Sequence, residues 1–360
     1  WVSYIDALIR MGALDDAQSM LSQAKQKGAS GEAFDHLAHR IQEHTGSFED
    51  TSGSDVSASA VQELPEDKLQ QVLNFYNQGQ MQQALDEASK LLKHFPSAFI
   101  LHNVCGVTRA ALGQYDEAIA SYKKALEVKP DDPQVHFNMG VAFDQKGDLK
   151  GAVESYNKAI TAKADYTDAY INKGMTLNDI EDTEGALESF NKAIKIQPDR
   201  ADAHYNVGKL LKKKGKLDAA LESFRQTIGI SPDHAEAYHD IGIVLRSKGD
   251  FDGAIDSYKR AVEIKPDYAE ARNNIGVIFQ EKGELDSALK SFELTLMIRP
   301  DYADAYHNIG VVLQDKGDLE GAIESYKRVL NIKPEDAGTY NNIGNALQIQ
   351  GKLDDAMKAY

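Results

Sequence analysis

The chain has 360 residues, 42% of them hydrophobic, and its 56 acidic against 40 basic side chains give a formal net charge of -16. That sign disfavours nucleic acid and anionic membrane surfaces, both of which attract basic faces, and leaves neutral or basic polypeptides as the better-matched partners. A single cysteine, Cys105, excludes an internal disulfide framework and a cysteine metal cluster, and fits a reducing, cytoplasmic setting.

Residues 1–43 read as helical: Trp1, Leu8, Gly12, Ala17, Leu21 and Ala24 trace a faint copy of a motif that recurs in sharper form downstream. A further helix is predicted through Phe34, Leu37 and Ile41. The copy begins three residues into its own motif, so further chain is expected upstream. Residues 44–64, HTGSFEDTSGSDVSASAVQEL, are rich in Ser, Gly and acid, lack periodicity, and predict a flexible linker. No run of eighteen apolar residues occurs, and no cleavable leader pattern is visible.

From residue 65 onward the chain repeats itself. Gly106, Gly140, Gly174, Gly208, Gly242, Gly276, Gly310 and Gly344 are spaced by 34 residues with no insertion or deletion. With that glycine at position 8, full repeats begin at residues 65, 99, 133, 167, 201, 235, 269 and 303, and a truncated ninth covers 337–360. Position 20 is always Ala, from Ala84 to Ala356, and position 24 is nearly always aromatic, from Tyr122 to Tyr360. Positions 4, 7, 8 and 11 fall on one face of a first helix, and 20, 24 and 27 on one face of a second. Gly at position 15 (Gly113, Gly147, Gly249) ends the first helix, and Pro at position 32 (Pro130, Pro198, Pro266) stops the second.

These residues resemble the tetratricopeptide repeat over 65–360. The resemblance implies an all-α fold, a right-handed superhelix of antiparallel helix pairs, and a function carried on a surface. Departures gather in one place, where Ala164 replaces the position-32 Pro, Lys173 sits at position 7 and Glu181 replaces the turn Gly. Weaker packing is expected across 164–181. The end at Tyr360, in the middle of a helix with no polar cap after it, predicts a fragment of a longer chain.

At about 100° per residue, positions 2, 6, 9 and 13 lie opposite the buried face of the first helix. In tetratricopeptide arrays that face lines the concave groove. Position 6 carries Asn138, Asn172, Asn206, Asn274, Asn308 and Asn342, broken by Asp240. A carboxamide both donates and accepts, so such a column can hold an extended peptide backbone without reading its side chains; the alternative is that Asn is a tolerated polar residue on a solvated face. Lys209 and Lys213 occupy positions 9 and 13, and with Arg246 they are candidates for acidic groups on a ligand. The plainer reading of the lysines is helix-end complementarity with the macrodipole.

The dicarboxylate clamp of co-chaperone arrays is absent, because position 5 carries residues such as Tyr205, His239 and Asn273 and position 2 is acidic, as in Asp202, Glu236 and Glu270. GKLLKKKGKL imitates a phosphate loop, but its glycines are six residues apart and Leu217 stands where Ser or Thr is required. His102, His136 and His204 at position 4 are read as packing substitutes for aromatics, His36, His39 and His44 lack a metal-ligand spacing, and Cys105 is read as a small core residue. Carboxylate pairs such as Asp131 and Asp132 fall in turns. No catalytic constellation, cofactor or metal site is expected.

The chain is therefore read as a non-enzymatic scaffold that holds extended peptide, with self-association through its terminal repeats as a further possibility. The array is also similar to those of bacterial transferases, through WVSYIDALIRMGALDDA and FILHNVCGVTRAALGQYDEA, and its Asn column resembles that of O-linked N-acetylglucosamine transferase. Those resemblances imply the alternative of a substrate-recruiting arm whose catalytic domain lies outside these residues.

Overall fold

The computed structural model describes residues 2–10, 14–26, 31–45 and 64–360. The linker expected at 44–64 lies almost wholly outside the described residues, as do Trp1 and Gly12. Two compact units divide the chain, Trp1–Pro198 and Asp199–Tyr360. Among the described residues all regular structure is helical, and no helix is long and apolar enough to cross a membrane.

In the first unit, α1 (Val2–Arg10), α2 (Leu14–Gln26) and α3 (Glu32–Thr45) precede four helix pairs. These are α4 (Glu66–Asn77) with α5 (Met81–Leu92), α6 (Phe99–Ala111) with α7 (Tyr115–Val128), α8 (Pro133–Lys146) with α9 (Leu149–Ala162), and α10 (Thr167–Asp179) with α11 (Thr183–Ile196). Leu8, Ala17, Leu21, Ala24, Leu37 and Ile41 are buried and share one core with Leu73, Leu85 and Val104. The amino-terminal helices thus pack directly on the repeats, with Arg40 paired to Asp6 across α1 and α3.

The second unit continues with α12 (Ala201–Lys213), α13 (Leu217–Ile230), α14 (Ala235–Ser247), α15 (Phe251–Ile264) and α16 (Ala269–Glu281). It ends with α17 (Leu285–Ile298), α18 (Ala303–Asp315), α19 (Leu319–Ile332), α20 (Ala337–Ile349) and α21 (Leu353–Ala359). Within each unit a first helix packs against its own second helix, and α6, α8 and α10, like α14, α16, α18 and α20, also pack against the second helix before them.

The same contact recurs in every pair from α6–α7 onward. The ring at position 24 lies flat against the backbone of the position-8 glycine, so close that a Cβ on Gly276 would sit 2.5 Å from Phe292 Cε1 and one on Gly242 2.5 Å from Tyr258 Cε1. Nonbonded carbons prefer about 3.5–4.0 Å, so no side chain fits there. Tyr122, Tyr156, Phe190, Phe224, Tyr258, Phe292 and Tyr326 are all at most 2% exposed.

The buried face of the first helix is rotated from the expected one. Positions 3 and 10 are the sealed ones, as in Ala203, Ala237, Ala271 and Ala305 at 0% and Val244, Ile278 and Val312 at 0%. Positions 4 and 11 are mostly half-buried instead, as in Tyr238 and Leu245. A first helix is clasped by two second helices, so its buried arc is wider than one amphipathic stripe. Of the position-4 histidines, His204 is half-buried, whereas His102 and His136 are buried as expected and also anchor the preceding turn: His102 Nε2 lies 2.7 Å from the Pro96 carbonyl and His136 Nε2 2.8 Å from that of Pro130.

Turn glycines from Gly79 to Gly351 take φ between 71° and 87°, the left-handed conformation that closes a helix end. Asp148, Asp182, Asp250 and Asp318 then cap the second helices, accepting from the N–H three residues on at 2.9–3.0 Å.

Across 164–181 the buried face survives, with Ala169, Ile171 and Leu177 at 0%, 4% and 7% exposure. α9 stops at Ala162 without a proline two residues on, because Lys163 takes the extended conformation (φ -138°, ψ 97°) that a following Pro would impose. Only Glu181 shows strain: at φ 64° it is the one described non-glycine residue with positive φ, and it takes the place of the turn glycine. The expected weak spot is thus a backbone cost more than a packing defect.

Three substitutions test this geometry, each read from chemical unfolding. Gly276→Ala should cost about 1–3 kcal/mol by overpacking, whereas Gly229→Ala, which meets nothing within 4 Å inside α13, should gain up to about 1 kcal/mol from helix propensity. Glu181→Gly should stabilise by about 1 kcal/mol through release of the left-handed strain.

Candidate functional site

The exposed face of the first helices is best defined in the second unit, where α12, α14, α16, α18 and α20 present equivalent positions. Position 6 does not project freely into solvent. Asn274 Nδ2 lies 3.0 Å from His239 Nε2, Asn308 Nδ2 donates to Asn273 Oδ1 at 3.2 Å, and Asn342 Nδ2 lies 3.0 Å from His307 Nε2. Each bond joins position 6 to position 5 of the preceding repeat, and each of these three amides is half-buried. Asn206 instead donates to the Asp202 carbonyl of its own helix at 2.9 Å.

Asp240 makes the same link in reverse polarity. It is 6% exposed and accepts from Tyr205 Oη at 3.0 Å and from Lys212 Nζ at 2.6 Å. A carboxylate this buried requires a paired cation, and Lys212, one repeat earlier at position 12, supplies it. The break in the Asn column is therefore a compensated exchange of a neutral link for an ionic one.

Position-5 rings are wedged between aromatics of their own repeat. His239 lies 5.5 Å from the Tyr258 ring and 5.0 Å from that of Tyr268, and Tyr205 lies 4.6 Å from the ring of His234. Burial raises the Tyr258 phenol well above its usual range, and Asn274 bonds its hydroxyl. Burial is likewise the main cause that lowers the pKa of His239, with Lys212 acting in the same direction against Asp240, Glu270 and Glu236.

Beside the amides, position 9 places Ile243, Val277 and Val311 half-exposed on consecutive first helices. These aliphatics were not singled out in the sequence, although their spacing from position 6 by one helical turn was a readable signal. The position-2 acids are tied down at the edge: Glu236 pairs with Lys265 at 3.5 Å, Glu270 with Arg299 at 2.7 Å and Asp304 with Lys333 at 3.1 Å. These are exposed pairs, each worth at most about 1 kcal/mol.

Among the basic candidates, Lys209 and Lys213 are exposed, and Lys209 Nζ sits 5.6 Å from the centre of the Tyr205 ring. Arg246 is differently placed. Its Nε donates to both carboxylate oxygens of Glu281 at 3.2 Å and its Nη2 closes the fork, so it ties α14 to α16. In the first unit, Asn138 accepts from Gln134 Nε2 at 3.0 Å, and Asn172 bonds the Tyr156 hydroxyl. No cluster of three potential metal ligands occurs among the described residues.

Comparison with known families agrees with the helix-pair geometry. A TPR repeat model matches residues 106–147, 174–215, 242–283 and 313–351, and a second tetratricopeptide repeat model matches 133–166, 201–234 and 269–302. Together they cover more than half of the chain. The chain belongs to the tetratricopeptide repeat family. Among solved structures, MamA is 30% identical over 46% of this chain and 97% of its own, with a TM-score of 0.44. YrrB, described as a TPR protein with an unusual peptide-binding site, is 28% identical over 52% of this chain and 97% of its own, with a TM-score of 0.45. The Cut9–Hcn1 hetero-tetramer of APC/C aligns over 87% of this chain and 60% of its own at 14% identity and a TM-score of 0.51, a likeness of fold alone. No curated protein matches.

Within this tetratricopeptide scaffold the His239 link gives a pH test. The bond from Asn274 requires His239 Nε2 as acceptor, and a folded-state pKa below the ordinary 6.5 means that the unfolded chain takes up the proton first. The stability from neutral His239 is complete above pH 6.5 and is lost as pH falls below it. His239→Asn, which installs the Asn–Asn pair seen at 273 and 308, should flatten the fall in melting temperature between about pH 7 and 5.

Proposed function

We propose that residues 199–360 hold an extended segment of a partner polypeptide along the face of α12, α14, α16, α18 and α20. The observation that carries this reading is the column of pinned, half-buried amides at Asn274, Asn308 and Asn342, with half-exposed Val277 and Val311 one turn after the first two and Ile243 at the same position on the helix before. A carboxamide has two N–H donors and a carbonyl, and the link to the preceding repeat uses one donor. Pinning fixes the amide plane before a ligand arrives, which lowers the ordering cost of binding. The aliphatics beside it supply a dry flank for every third or so peptide side chain.

Spacing supports the reading as well. Packed helices lie about 8–10 Å apart, and three residues of extended chain span about 10 Å, so one amide meets the backbone once per three residues. Because the position-2 acids are already paired, recognition rests on backbone polarity, while the net charge of -16 acts at longer range in favour of neutral or basic segments.

The test is a titration of peptides selected from a random library on the full chain. Asn206→Ala, Asn274→Ala and Asn308→Ala combined should weaken binding at least about tenfold, given about 0.5–1.5 kcal/mol per hydrogen bond. Unchanged affinity in a variant that melts within a few degrees of the parent would reject the proposal.

A further inference from the structure

In the first unit, α5, α6 and α7 surround an open cavity of about 620 Å³. It arises from local departures in the repeat. Ser89 stands at position 25, where later second helices carry Asn157, Arg225 and Lys259. Cys105 stands at position 7 in place of Met139 or Ile241, and Arg109 at position 11 in place of Phe143 or Leu211. Ser89 and Cys105 are shorter than their counterparts in later repeats, and an apolar position has become a cation.

The charges around the cavity are unbalanced. Arg109 Nη1 donates to Ser121 Oγ at 2.5 Å and, at 3.5 Å, to the Glu117 carbonyl. Ser121 is 2% exposed and its own hydroxyl donates to the Glu117 carbonyl at 2.7 Å, so the guanidinium is held by a fixed acceptor. Its Nε and Nη2 donors are left for another group. Lys124 lines the same space, and neither it nor Arg109 makes an ion pair among the described residues. Arg246, Arg299 and Lys282 by contrast all have carboxylate partners.

Cys105 supplies no anion. Burial pushes its thiol up, and the nearby positive charges of Arg109 and Lys124, with a bond to Ser89, only partly oppose that. Glu127, exposed on the turn after Lys124, is the one carboxylate in the lining. The remainder of the wall includes Leu92, Ala120 and Val128.

We propose that this cavity binds a small organic anion, with a carboxylate or phosphate head on Arg109 and Lys124 and a short apolar body against Leu92, Ala120 and Val128. A fixed guanidinium presents paired donors that match an oxyanion, and a half-enclosed site strengthens the interaction relative to open water. The cavity shares no residue with the peptide face of residues 199–360, so each reading can fail alone.

Hexanoate, butyl phosphate and the neutral hexanamide, titrated into the full chain while the amide resonances of Ser89, Cys105 and Ser121 are followed, test this directly. At least one anion should give saturable shifts, and the tighter of the two identifies the head group. Arg109→Gln should weaken binding at least about tenfold, the range for charge-assisted bonds. The exposed Lys124→Gln, which leaves the helix core untouched, should weaken it about threefold or more. The proposal is overturned if neither anion saturates below about 10 mM, if hexanamide binds as well as the anions, or if both variants bind like the parent.

Discussion

The contact between the position-8 glycine and the position-24 ring sets the distance between the two helices of each pair from α6–α7 onward, and the remaining geometry follows from that distance. With no Cβ at Gly242 or Gly276, Tyr258 and Phe292 can lie directly on the backbone of the facing helix. That close approach brings Ala254 and Ala288 to full burial and leaves each first helix free to meet a second neighbour on its other side. Propagation of one such unit produces a stack whose stability is a sum of local terms, so a single altered repeat is tolerated. The stretch around Glu181 illustrates this: three departures from the pattern leave helix boundaries and buried positions in place.

Polar side chains then join neighbouring repeats where the apolar contacts stop. Asn274, Asn308 and Asn342 reach back to His239, Asn273 and His307, and Lys212 with Asp240 performs the same task with charge. A second ladder of exposed pairs, Lys248 with Asp218, Lys282 with Asp252 and Lys316 with Asp286, runs between repeats on another edge. These pairs tie charged side chains of neighbouring repeats together. Arg109 differs in lining a cavity rather than open surface, and the amide face differs in holding its carboxamides in place.

Much of the candidate surface was legible in the residues before any coordinates. The column of Asn at position 6 follows from the 34-residue register and the helical period. Its hydrogen-bond partners did not, because a bond between residues 35 apart, such as Asn308 with Asn273, depends on how one helix leans on the next. Arg246 has the same history: a basic residue near a presumed groove turned out to be forked to Glu281, also 35 residues away. At position 9 the helical period already assigned Ile243, Val277 and Val311 to the open face, but their apolar type gave no reason to single them out until their half-exposure was known.

What the sequence determined by itself is the repeating unit. Period, helix boundaries, the close glycine–aromatic contact and the turn glycines are local matters of sterics and spacing, and a 34-residue self-similarity states them many times over. Only the tertiary structure decided which polar groups are already engaged and which remain for a ligand. Whether Asp240 is a docking charge or a buried half of an ion pair, and whether Ser89, Cys105 and Arg109 form a wall or a cavity, depends on three helices meeting. Such meetings depend on side-chain size and direction on facing elements, which periodicity along one chain does not encode.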